Sequence, residues 1–111
     1  MKKITKLGAQ GDCVLRKVSK LPAGVKPEND LVIAHSETGH HHVATGDATR
    51  YTSDDPLLGY LVTKGPVQIE HQRPFDTHET LLLDGGDKPQ VVWEIRRQRE
   101  WAPEGWRQVM D

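Results

Sequence analysis

The run Leu31-Val32-Ile33-Ala34-His35-Ser36-Glu37-Thr38-Gly39-His40-His41-His42-Val43 reads as two strands and the turn between them. Its first half is apolar with a β-branched centre, Val32-Ile33, which suits a pleated, half-buried surface. Glu37-Thr38-Gly39 then turns the chain back, so the two halves should pair as a hairpin. Three of the chain's six histidines fall in the returning arm. Side chains alternate faces along a strand, so His40 and His42 point one way and His41 the other. The alternation leaves open which of the two faces looks inward.

The same grammar extends outward in both directions. Strand patterns recur at residues 12–18, 49–52, 58–62, 67–71, 78–83, 91–101 and 106–110, and residues 25–30 read as a loop. Lys64-Gly65-Pro66 is read as the turn of a second hairpin, with Val67, Ile69 and His71 sharing one face of its second arm. Asp84-Gly85-Gly86-Asp87-Lys88-Pro89 is the densest cluster of turn formers. In the longest strand one face carries Val91, Trp93, Ile95, Arg97, Arg99 and Trp101. No long segment carries an apolar stripe at helical spacing. The expectation is all-β: one small domain over residues 1–111, a β-barrel or sandwich of short antiparallel strands. Residues 38–47 and 77–87 share an order of Thr, His, apolar residues and Gly-Asp, as two equivalent corners of such a fold would.

Composition bounds the partners. Hydrophobic residues make up 35%, which limits the core that 111 residues can build. The formal net charge of −1 announces neither a nucleic-acid nor an anionic-membrane partner. Cys13 is the single cysteine, so no internal disulfide forms, and a lone thiol suits a reducing, cytoplasmic setting. The start, Met1-Lys2-Lys3, is basic but lacks the apolar run of a signal peptide, and no stretch is long and apolar enough for a membrane span.

Two imidazoles on one strand face form a chelating pair, and neutral imidazole is the commonest side-chain metal ligand. His40 and His42 are therefore read as two ligands of a divalent metal, with zinc, nickel or iron as the ion. His78 is the choice for a third ligand, and Glu79 or His71 for a fourth ligand or a supporting partner. Three protein ligands and an open position suit catalysis or small-molecule binding; four would make a structural site. The bland alternative is a solvated hairpin whose histidines are incidental. Arg96-Arg97-Gln98-Arg99 near Trp93, Trp101 and Trp106 invites a single-strand nucleic-acid reading. Glu94 and Glu100 bracket those arginines, which argues for ion pairs across strands instead. The tryptophans then fill a core or an interface, and a homodimer through the C-terminal hairpin is expected. No hydrolase triad, phosphate loop or dinucleotide fingerprint is present, so no catalytic residue is assigned.

Gly39-His40-His41-His42, His78-Glu79 and Arg97-Gln98-Arg99-Glu100-Trp101 together resemble a group of small bacterial and prophage β proteins. Those proteins open on a Gly-Asp-Val-like strand, here Gly11-Asp12-Cys13. They also carry a Gly-His-x-His segment and end in an Arg-Gln-Arg-Glu-aromatic strand. The resemblance implies a β-barrel-like domain and no assigned activity; His78-Glu79-Thr80 is its loosest match. His40-x-His42 followed by Asp47 is also similar to the first cupin motif, although the second motif has no counterpart. The expected function is thus divalent-metal binding in a small β domain. The alternatives are a non-catalytic phage or bacterial interaction protein and a cupin-like metal-dependent enzyme.

Overall fold

The computed structural model describes residues 1–34, 41–71, 80–86, 88–97, 99–102 and 105–108, the last two stretches as backbone. Among them the chain is all-β, and no helix is long and apolar enough to cross a membrane. One sheet holds β1 (Lys2–Ile4), β10 (Leu81–Leu83), β9 (Val67–His71), β6 (His42–Thr45) and β5 (Val32–Ala34), in that order. The other holds β2 (Leu7–Gln10), β3 (Cys13–Val18), β11 (Val91–Arg97), β8 (Leu58–Thr63), β7 (Ala48–Thr52) and β4 (Lys26–Glu28). A separate ribbon pairs β12 (Arg99–Ala102) with β13 (Gly105–Gln108). The β1–β10 pairing is parallel and the other pairings are antiparallel.

The two sheets share one core. Ile4, Ala44, Val67, Ile69, Leu81 and Leu83 come from the first sheet. Cys13, Leu15, Leu61, Val91, Trp93 and Ile95 come from the second. On β11 Val91, Trp93 and Ile95, which alternation groups on one face, are buried in this core. Trp93 is completely buried, and its indole Nε1 donates to Thr63 Oγ1 at 3.2 Å. Of the two places expected for it, a core or an interface, it takes the core of its own chain. Trp101 and Trp106 are cross-strand partners in the terminal ribbon. Cys13 is fully buried, the small core residue expected.

The hairpin of β5 and β6 is present, with Val32 opposite Val43. The returning strand begins at His42. The second predicted hairpin is not a hairpin. β8 pairs with β7 and β11, whereas β9 pairs with β10 and β6, so Lys64-Gly65-Pro66 carries the chain from one sheet to the other. Both arms present apolar residues to the same core from opposite sides, Leu61 from one and Val67 and Ile69 from the other. Local turn signals do not distinguish such a crossover from a hairpin. Residues 25–30 also contain a strand, β4, whose Pro27 sits in an edge position that tolerates a missing N–H. The strands β1 and β2 escape the alternation rule because lysines and Gly8 dilute their pattern.

Candidate functional site

The polar residues inside this core gather at one place. A two-residue turn, Gly11-Asp12, joins β2 to β3 between the paired residues Gln10 and Cys13. Gly11 adopts φ 59°, a left-handed conformation that glycine reaches without a Cβ penalty. Asp12 ends up fully buried. Arg97, at the end of β11, is the cross-strand partner of Cys13, so its side chain arrives beside Asp12. Its Nε and Nη2 donate to Asp12 Oδ2 at 2.8 and 2.7 Å.

The opposite sheet supplies the histidines. His42 opens β6 and pairs across the ladder with His71, which closes β9. His42 is completely buried and its ring stacks on that of His71, with centroids 4.2 Å apart and planes 5° from parallel. Gln10 ties the sheets together: its Nε2 donates to the carbonyl of Ile69 at 2.9 Å. That bond fixes the amide orientation, because a carbonyl only accepts. Gln10 Oε1 is thereby turned to His42 Nδ1 at 2.8 Å, and Nδ1 must carry the hydrogen that is donated.

The consequence falls on the other ring nitrogen. His42 Nε2 lies 3.6 Å from Asp12 Oδ1, a buried oxygen with no hydrogen-bond partner. In the neutral ring Nε2 is an acceptor, so two acceptors face each other out of reach of solvent. A proton on Nε2, or a cation between the two, would satisfy the unpaired Asp12 oxygen. The carboxylate itself is held ionised. Burial raises its pKa, but the neighbouring His42 and the hydrogen-bonded Arg97 guanidinium outweigh burial and leave it below the usual carboxylate value.

Of the residues expected to bind metal, His42 and His71 come together, while His40, His78 and Glu79 lie outside the described residues. Parallel stacking aims the in-plane lone pairs of the two rings side by side and not at a common point. His71 therefore positions His42 and is poorly placed to share an ion with it. Among the described residues no three His, Cys, Asp or Glu side chains gather closely enough to hold a metal ion. The residues that sequence reasoning missed are Asp12, Gln10 and Arg97. Asp12 reads locally as a turn aspartate, and Arg97 as one cation in a basic run; only the β3–β11 register joins them. Arg97 also lines a cavity of about 240 Å³ with Ile95, Ala34 and Tyr60.

Residues 9–98 match the family described as Domain of unknown function (DUF8820). The chain belongs to that family. The match covers Gln10, Asp12, His42, His71 and Arg97 and stops before the β12–β13 ribbon. No curated protein and no solved structure matches the chain.

Two buried carboxylates make stability depend on pH. Burial raises the Glu94 carboxyl as well, but Arg96 Nε at 2.6 Å and Arg16 Nη2 at 3.3 Å bring it below its ordinary range. A carboxylate whose pKa falls on folding adds stability that is fully present above its unfolded value, about 4. That stability is lost as pH falls through the lower folded value. Urea midpoints measured with a chelator present should hold from about pH 7 to 5 and drop below that. Glu94→Gln should show a smaller drop than the parent; an equal drop would mean Glu94 is not linked to folding.

Proposed function

We propose that this domain binds one divalent cation at His42, with Nε2 of that residue and Oδ1 of Asp12 as inner ligands. The observation that carries this reading is the buried Oδ1 of Asp12, without a hydrogen-bond partner and 3.6 Å from His42 Nε2. Zinc–nitrogen and zinc–oxygen bonds of about 2.0–2.2 Å meeting at roughly 120° span that gap. The Nδ1–H donated to Gln10 supports it further, since ligating histidines commonly donate the other ring N–H to an oxygen that fixes the tautomer. His40 precedes His42 by two positions, and His78 with Glu79 precedes β10, so these remain the expected sources of further ligands. Zinc, nickel and iron all accept such a donor set.

A second reading has its own observation. Arg97 neutralises Asp12 from the other side, and a proton on His42 Nε2 would complete a purely structural network. The domain would then be an interaction or structural protein whose histidines serve the fold.

Metal analysis of untagged protein separates the two. The cation reading expects close to one zinc or nickel per chain. At a hundredfold excess over Kd a metal that binds only the folded state adds about 2.7 kcal/mol, or roughly 10–20 °C in Tm for a domain of this size. His42→Ala should abolish the shift, and His41→Ala should keep it. A parent protein whose Tm does not respond to metal leaves the structural reading standing and ends the other.

A further inference from the structure

The near-neutral net charge conceals a strong segregation. Residues 1–26 carry seven lysines and arginines against one aspartate, a formal charge of +6, and the rest of the chain carries eight against fifteen, or −7. The one acid in the basic segment, Asp12, is buried against Arg97. Two strands of this segment lie at sheet margins, β1 at the edge of the first sheet and β2 at the edge of the second. Beside β2 runs a groove of about 450 Å³ lined by the cations Lys6, Arg16, Lys17 and Lys88 and by the apolar Leu7 and Val18. No carboxylate lines it among the described residues. Among the described residues Leu7, 63% exposed, is one of two large hydrophobic side chains so exposed; the other, Met1, belongs to the same terminal segment.

The backbone at this edge is also open. Lys17 N–H donates to the Lys6 carbonyl, so residues 6 and 17 form a hydrogen-bonded pair. The alternation of an antiparallel ladder makes 8 with 15 and 10 with 13 the next such pairs. The N–H and C=O groups of Leu7 and Ala9 therefore point away from β3. Among the described residues no strand pairs with that edge. Pro27 blunts the opposite edge of the same sheet, but β2 has neither a proline nor a charge within it.

We propose that this edge docks an extended acidic segment of a partner protein, which adds as a strand to β2. Leu7 and Ala9 would supply main-chain hydrogen bonds, as in β-strand addition generally. The lysines would pair with acidic side chains, and apolar side chains of the segment would cover Leu7 and Val18. A nucleic acid fits less well, because no aromatic ring lines the groove to stack on bases, whereas Leu7 and Val18 do line it. A flat bilayer has no use for a concave groove or an open strand edge.

Fluorescence anisotropy on the full chain tests this with a labelled octapeptide alternating Glu and Leu. Saturable binding is expected, weakening about tenfold or more between 50 and 500 mM salt, as charge screening requires. The exposed double variant Lys6→Glu/Lys88→Glu should lose about tenfold in affinity. Ala9→Pro removes an outward N–H without touching the β3 ladder, and should weaken binding by a similar factor with the far-UV spectrum unchanged. The proposal is overturned by no binding of this peptide, or by equal binding of a Lys/Leu counterpart. Full affinity in both variants also overturns it, as does tighter binding to a DNA duplex or phosphatidylserine vesicles.

Discussion

Replacing Arg97 with alanine should cost about 3–5 kcal/mol of stability, the penalty for leaving a buried charge without its partner. For a domain of this size that is a fall in Tm of roughly 15–25 °C. The magnitude follows from burial: the Asp12 side chain is inaccessible and that of Arg97 is 9% exposed, so water does not take over the lost contact. Both guanidinium donors act on Oδ2, and the His42 side of the carboxylate offers no compensating bond at ordinary length. Replacing both members, Asp12→Leu with Arg97→Met, should cost clearly less than the sum of the single replacements, because no charge is then stranded. Urea unfolding of the four proteins measures this directly. Additive losses would mean that the pair is not coupled and that the centre of the site has been misread.

Trp93→Ala should be of comparable size, about 3–5 kcal/mol for an aromatic removed from a closed core. The loss has two sources: the cavity left among Leu15, Leu61 and Ile95, and a Thr63 hydroxyl deprived of its indole donor. Trp93→Phe keeps most of the volume and should cost less. Because the residue lies within one chain's core, the deficit should not depend on protein concentration. Unfolding midpoints that shift with concentration in the parent and not in Trp93→Ala would return this residue to a subunit interface.

How far the fold and the site were legible depended on the range of the forces involved. Alternation in residues 91–97 is a local consequence of the pleat, and it grouped Val91, Trp93 and Ile95 on one face without any partner strand; burial then made that face the inward one. The same logic set His42 apart from His41. It failed at Lys64-Gly65-Pro66, because a link of that composition serves a hairpin and a change of sheet equally well. The choice was made by β7 and β11, which take both edges of β8 and leave β9 to the other sheet.

From the residues alone came the all-β class, the hairpin of β5 and β6, the grouping of Val91, Trp93 and Ile95 on one face and the separation of His42 from His41. Those features rest on backbone geometry and on interactions between near neighbours, which periodicity records. Tertiary structure alone brought Asp12 to Arg97, turned Gln10 so that it fixes the His42 tautomer, and stacked His71 on His42. Each of those pairs is distant in sequence, and each depends on a register set by the burial of whole sheet faces. A polar side chain inside a protein acquires its role from the groups that replace its water, and those groups are chosen by the packing.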